Sequence, residues 1–209
     1  MAITRIGGAN AISGTIPVAN GGTGVTTSAA LANTGNLVLL HTINASSNST
    51  ISFDGYFDSA YTNYKIFISD LTPSSSVTSY FRIRVRQSNA DKSDNEYYSV
   101  VGRALVQSSS DGVSIARSRW GNNYADLSQD MQSSNPTQVD FTLFNPLGTT
   151  FKKYGIWDIA SQDSSNNSFY RTYGSFKYSA NTNALSGITF FYNGGNIATG
   201  KFQLYGIKS

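Results

Sequence analysis

Three arginines at alternate positions within the segment Tyr80–Gln87 are the side chains whose spacing most suggests ligand binding. These are Arg82, Arg84 and Arg86. Apolar residues occupy the positions between them, so a β-strand would turn its apolar side chains one way and its arginines the other. Guanidinium groups bind oxyanions in bidentate fashion, which suits acidic polysaccharide or the phosphates of lipopolysaccharide. The favoured interpretation is instead a sheet edge or solvent face whose charge opposes aggregation, or a contact between subunits, because a β-edge needs such protection.

The segment Arg117–Asp126 is predicted to be a loop that carries an aromatic platform. Trp120 and Tyr124 have the size and the polar tip that suit stacking on sugar rings, and the neighbouring Asn122, Asn123 and Asp126 would bond sugar hydroxyls. The alternative is that Trp120 closes a sandwich or a subunit interface. Trp157 lies between isoleucines in a predicted strand and is assigned to packing.

The sequence predicts a protein that is not an enzyme. His41 is the single histidine and lies within an apolar run, where a structural role is expected. Cysteine is absent and Glu96 is the one glutamate, so Cys–His chemistry is excluded. Glycoside hydrolysis needs two carboxyl groups across a cleft. Asp140 and Asp158 lie in predicted strands, but nothing in the sequence shows that they face each other.

Three carboxylates, Asp91, Asp94 and Glu96, lie in one short segment and raise the question of a metal ion. Their spacing does not match the calcium-binding loop of an EF-hand. A solvated loop is therefore the favoured interpretation, with calcium left open as an alternative. No metal site and no cofactor is predicted.

The composition narrows the possible partners. Charged residues make up 13% of the 209 residues and the net charge is +3, without a run of Lys or Arg longer than two. This argues against nucleic-acid binding. The N-terminus lacks the apolar core of a signal peptide and no apolar run is long enough to span a membrane. Synthesis in a cytoplasm without membrane insertion is therefore expected.

Short alternating segments separated by turn residues follow Asn36 and predict an all-β fold. The predicted strands are Leu37–Ile43, Ser49–Asp54, Tyr64–Leu71, Ser79–Gln87, Glu96–Arg103, Gly112–Ser118, Gln138–Asn145, Phe151–Ala160, Phe169–Tyr178, Gly187–Tyr192 and Lys201–Ile207. About this number of short strands without a helical pattern is typical of a sandwich or barrel. A jelly-roll-like antiparallel β-sandwich with additional hairpins fits best.

Residues 1–35 form a separate, glycine-rich unit without an aromatic residue. Such a segment cannot bury its few apolar side chains against itself, so it needs a second protein or copies of its own chain. Glycine permits close backbone approach, and proline favours an extended geometry. The residues predicted to serve trimerisation or attachment are Ile12, Ile16, Pro17, Val18, Gly21, Gly22, Gly24 and Val25.

The run VANGGTGVTT at Val18–Thr27, coupled with the closing segment Asn196–Ile207, resembles bacteriophage tail-fibre and related virion-fibre proteins. Further marks of the resemblance are Tyr64–Ile66, Arg82–Arg84, Asn145–Pro146 and Tyr154–Gly155. The resemblance implies a homotrimer located on the virion, with residues 1–35 as the attachment arm and residues 36–209 as a knob.

In such a protein the arm binds other virion proteins and the knob adheres to host cell-surface polysaccharide. The candidate glycan-binding residues are then Arg82, Arg84, Arg86, Trp120 and Tyr124. The alternative function is that of a capsid head fibre or decoration protein, whose arm docks on the virus shell. The sequence barely separates these two functions because both use the same architecture.

Overall fold

The computed structural model describes residues 36–75, 79–107, 112–131, 134–162 and 168–208. Within these ranges the chain forms 13 β-strands and no helix, which confirms the all-β prediction. It follows that the described ranges hold no helix long and apolar enough to cross a membrane.

Contacts divide the chain into two units, Met1–Val38 and Leu39–Ser209. The described strands belong to the second unit, except that the first strand begins two residues before it, at Leu37. The residues predicted to serve trimerisation or attachment, from Ile12 to Val25, lie outside the described ranges.

All eleven predicted strands are present, and several extend further than the sequence suggested. The strands are β1 (Leu37–Asn48), β2 (Thr50–Asp54), β3 (Asn63–Pro73), β4 (Ser79–Gln87), β5 (Ala90–Asp91), β6 (Tyr97–Gln107), β7 (Gly112–Asn122), β8 (Ala125–Met131), β9 (Thr137–Phe144), β10 (Lys153–Gln162), β11 (Ser168–Tyr178), β12 (Gly187–Tyr192) and β13 (Ile197–Ile207). Two of them, β5 and β8, were not predicted.

The strands form two sheets. The large sheet has eight strands in the order β1-β13-β3-β9-β10-β11-β6-β7. The small sheet has the order β2-β12-β4-β5, and β8 also pairs with β4. The strand pairs whose register is described are antiparallel. This arrangement is consistent with an antiparallel β-sandwich.

Alternation with period two builds the core between the sheets, because successive side chains of a strand point to opposite faces. Thr137–Phe144, for example, alternates between buried and more exposed positions along its whole length. Phe190 of the small sheet occupies the middle of the core. Its ring lies 5.7 Å from Phe81 in its own sheet, and 5.7 and 5.8 Å from Phe141 and Phe202 of the large sheet. Burial of each such side chain stabilises the fold by about 1.5–3 kcal/mol.

Strand β4 is an interior strand of the small sheet. It pairs with β12 along one side. Along its other side it pairs first with β8 and then, at its C-terminal end, with β5. Ser88 and Asn89 connect β4 to β5 with φ angles of 51° and 62°. Two successive positive φ angles fit the type I′ turn that suits a two-residue β-hairpin.

Candidate functional site

The three alternating arginines lie on the outer face of the small sheet, as their spacing predicts. The apolar residues between them, Phe81, Ile83 and Val85, are fully buried in the core. The proposal that the arginines protect a sheet edge is wrong, because β4 has a partner on each side. Their position is a solvent-facing surface in the middle of a sheet.

Arg86 is held by its own sheet. Its Nε donates to Asp54 at 3.0 Å and its Nη1 donates to Asp91 at 2.5 Å and to Thr189 at 3.2 Å. A further Nη2 bond at 2.5 Å reaches the carbonyl of Asn89 in the hairpin turn. Both ends of the guanidinium are therefore engaged, and Arg86 ties β2, β4, β5 and β12 together rather than facing a ligand.

Arg82 and Arg84 are stacked on aromatic rings. The Arg82 guanidinium lies 3.9 Å from the Tyr124 ring and the Arg84 guanidinium lies 4.7 Å from the Phe191 ring. The two rings meet edge to face with their centroids 6.5 Å apart. These four side chains, Arg82, Arg84, Tyr124 and Phe191, are called the arginine–aromatic face below. A cation is attracted electrostatically to the face of an aromatic ring, so the stacking fixes the orientation of both guanidiniums.

One hydrogen bond orients each of these two arginines from its Nε atom. Arg82 Nε donates to Asp126 at 2.8 Å and Arg84 Nε donates to the carbonyl of Asn123 at 2.9 Å. Within the described part of the chain, neither arginine bonds a protein group through its Nη atoms. A guanidinium has five N–H donors in a rigid fork, so the Nη donors of Arg82 and Arg84 have no partner among the described residues, although the Arg82 side chain is only 13% exposed.

Positive charge is in excess at this end of the small sheet. The Asp126 side chain is 1% exposed. It forms ion pairs with Arg82 at 2.8 Å, with Arg119 at 2.9 Å and with Arg117 at 3.4 Å. Arg84 lies beside this cluster without an ion pair to any described carboxylate. Three guanidinium groups thus share one carboxylate, which leaves two of their positive charges uncompensated by it, and Arg84 adds a further positive charge.

The prediction of a loop at Arg117–Asp126 is wrong. The segment comprises the end of β7, a turn at Asn123 and Tyr124, and the start of β8. Tyr124 belongs to the arginine–aromatic face, whereas Trp120 lies on the outer face of the large sheet, edge to face with Tyr98 at 4.9 Å. The two aromatics do not form one platform. Asp126 is not available to sugar hydroxyls either, because arginines enclose it.

The carboxylates considered for catalysis are direct cross-strand neighbours. Asp140 of β9 lies opposite Asp158 of β10 on the outer face of the large sheet. Each carries its own ion pair, Asp140 with Lys65 at 2.9 Å and Asp158 with Arg171 through a two-pronged contact. The two adjacent carboxylates are thus flanked by a lysine on one side and an arginine on the other, on the outer face of the sheet. His41 stacks on Tyr56 at 4.4 Å.

The carboxylates considered for a metal ion have separate protein partners. Asp91 bonds Arg86, as described above, and Glu96 accepts a 3.4 Å bond from the Tyr98 hydroxyl. The Tyr178 hydroxyl donates to Asp94 at 2.5 Å and, with a smaller effect from Lys92, lowers the pKa of that carboxyl below its usual range. Across the residues that the structure describes, no group of three His, Cys, Asp or Glu side chains is placed to hold a metal ion.

Sequence reasoning missed Asp126 as the anchor of the basic cluster and Phe191 as a stacking partner. Asp126 and Arg82 are 44 residues apart, and only the register of β8 against β4 brings them together. Phe191 lies directly opposite Arg82 because β12 pairs with β4. Comparison of the chain with family models, curated proteins and solved structures found no match.

Proposed function

We propose that this protein is a non-enzymatic virion appendage of the bacteriophage tail-fibre type, whose β-sandwich adheres to acidic glycans of the host surface. The observation that carries the binding role is the arginine–aromatic face. Ring stacking and the Nε bonds hold the guanidiniums of Arg82 and Arg84 in place before a ligand arrives, so binding loses little side-chain freedom. The excess of positive charge selects phosphate, sulfate or uronate groups on the glycan.

The virion role rests on the resemblance of Val18–Thr27 and Asn196–Ile207 to virion-fibre proteins. In this proposal the protein is made in the host cytoplasm, residues 1–35 attach it to other virion proteins, and the sandwich is the jelly-roll-like knob of a homotrimer. Three knobs on a fibre and several fibres on a particle turn weak glycan contacts into strong attachment, because each later contact is intramolecular.

The binding role is tested with Arg84→Gln, a substitution that removes a charge but no ion pair among the described residues. The probe is dextran sulfate, and unmodified dextran is its uncharged counterpart. A hydrogen bond to a charged group contributes about 1.5–3 kcal/mol. Titration calorimetry should therefore show a roughly ten- to hundred-fold loss of affinity for dextran sulfate. Arg84→Lys should bind with intermediate affinity, because it keeps the charge and loses the fork.

Arg171→Gln is the matched control, since Arg171 is an exposed arginine on the large sheet. It lowers the net charge by the same amount and should leave the affinity for dextran sulfate nearly unchanged. Equal losses in the two variants would mean that binding follows net charge alone, and the arginine–aromatic face would not be a site. Failure of the unmodified protein to bind dextran sulfate would reject the site as well.

The virion role is tested by antibody labelling of intact particles. Label on the tail is the expected result. Label on the capsid would favour the head-fibre or decoration alternative, and particles without label would contradict both.

A further inference from the structure

A second row of exposed aromatic side chains crosses the outer face of the large sheet. Tyr154 of β10 lies opposite Lys177 of β11, and Lys177 lies opposite Tyr98 of β6. Directly opposite residues share a face of the sheet. Trp120 of β7 extends the row, since its ring lies 4.9 Å from that of Tyr98. Tyr154, Lys177, Tyr98 and Trp120 are called the aromatic row below. It crosses four adjacent strands, and three spacings of about 4.8 Å give it a length of roughly 14 Å.

The aromatic row is open to solvent. Trp120 is 86% exposed and Tyr154 is 47% exposed, whereas the other tryptophan of the chain, Trp157, is buried. Contiguous exposed apolar surface rimmed by polar side chains marks interaction sites and ligand-binding grooves. Among the described residues, none covers the Trp120 and Tyr154 side chains to the point of burial.

The next row of the same face alternates apolar and hydroxyl side chains. Ile156 lies opposite Ser175, Ser175 lies opposite Val100, and Val100 lies opposite Ser118. Together the two rows line a groove of about 500 Å³. This volume is within the range of ligand-binding clefts, roughly 300–1,000 Å³.

The charge of the groove is positive. Its charged lining residues are Lys177 and Arg119. Arg119 is already paired with Asp126 at 2.9 Å. The Lys177 ammonium lies 4.4 Å from the centre of the Tyr98 ring and has no ion pair with a described carboxylate. Glu96, which accepts a bond from the Tyr98 hydroxyl at 3.4 Å, is the acidic group beside the row and does not line the groove.

We infer that this groove binds an acidic polysaccharide chain, with sugar rings stacked on Trp120 and Tyr154 and a sugar carboxylate on Lys177. A polysaccharide presents apolar ring faces, hydroxyls and carboxylates in alternation, which matches rings, serines and an ammonium in one groove. A wholly apolar partner surface fits less well, because it would bury the Lys177 charge without a counter-charge. The site is separate from the arginine–aromatic face, which lies on the other sheet, and does not depend on it.

Fluorescence of the full-length chain tests the inference, because Trp120 is the exposed tryptophan of the two. The probes are hexagalacturonate, which is acidic, and cellohexaose, which is neutral. Hexagalacturonate should shift the emission of Trp120, and titration calorimetry should show that Trp120→Phe binds hexagalacturonate at least ten-fold more weakly. In Lys177→Gln, the Trp120 emission shift should require at least ten-fold more hexagalacturonate, and any shift with cellohexaose should be unchanged. Arg84→Gln, which impairs the other face, should leave the emission shift intact.

Three results would overturn the inference. The first is the absence of an emission shift with either hexasaccharide. The second is that the unmodified chain binds hexagalacturonate and cellohexaose with the same affinity and that Lys177→Gln changes neither affinity. The groove would then have no preference for acidic sugars. The third is an emission shift that depends on protein concentration and not on added sugar. It would accompany an oligomer in sedimentation, and Trp120→Ala would abolish that oligomer. That result would make the row a contact between copies of the chain.

Discussion

At the scale of single residues, Lys153 shows how a buried charge limits stability. Lys153 is 1% exposed at the start of β10, and its Nζ donates to the carbonyl of Gly148. Burial lowers the pKa of this amine below its usual 10.5, because a charged amine loses its hydration in the interior. Replacing a buried charge with an apolar side chain of similar volume is often neutral or stabilising.

We therefore expect Lys153→Met to be at least as stable as the unmodified protein at pH 7, as measured by urea unfolding. The advantage should shrink as the pH rises toward 10. The unfolded chain binds the Lys153 proton more tightly than the folded chain does, so the stability of the unmodified protein rises with pH in the window between the two pKa values. A difference in unfolding free energy that stays constant from pH 7 to pH 10 would contradict this account.

At the scale of elements, the Tyr97 hydroxyl joins the two sheets. Tyr97 belongs to β6 of the large sheet, and its hydroxyl accepts a 2.9 Å bond from the amide of Val85 in β4 of the small sheet. The same hydroxyl donates to the carbonyl of Lys92, just after the β4–β5 hairpin, at 2.8 Å. The bond therefore sets the position of the hairpin against the large sheet.

Tyr97→Phe should lower the free energy of unfolding by roughly 1–3 kcal/mol, because it leaves the Val85 amide without a partner in a fully buried region. Urea unfolding followed by circular dichroism measures the effect. Tyr98→Phe is the matched control, since its hydroxyl faces outward and contacts only Glu96 at 3.4 Å among the described residues. Similar stabilities for all three proteins would mean that the Tyr97 bond does not hold the sheets together.

Alternation within the chain was enough to predict the strands that carry the core, but not their pairing. Strand β4 was predicted because apolar and polar residues alternate strictly along it, and its apolar residues Phe81, Ile83 and Val85 are buried. Strand β8 was not predicted because Asp126 and Ser128 are polar residues at buried positions, and polar residues are expected in loops. The arginine partners that allow Asp126 to be buried are known only from the structure. The spacing predicted that the arginines of β4 face outward, but for the same reason the residues beside them and beside Trp120, namely Phe191, Tyr154 and Lys177, could not be predicted. Register between distant strands decides which side chains meet.

At the scale of the whole molecule, the hydrophobic core is built within the sandwich. Among the described residues, its buried members extend from Ile51 to Leu204, and the partly buried side chains packed against it include Leu40 and Ile43. These residues come from both sheets and from strands far apart in the chain. Stability of the sandwich should therefore not depend on residues 1–35, which the sequence assigns to assembly.

Residues 36–209 alone should accordingly unfold within a few degrees of the full chain in thermal scans. Assembly should change instead: sedimentation velocity is expected to give a trimer for the full chain and a monomer for the shortened one, because the predicted trimerisation residues are removed. The shortened protein should also no longer be incorporated into virions. A monomeric full chain would contradict the proposed trimer. A shortened chain that still forms trimers would place the subunit contact on the sandwich, where the aromatic row is the exposed surface to test first. A shortened chain that fails to fold would show that the core needs residues 1–35.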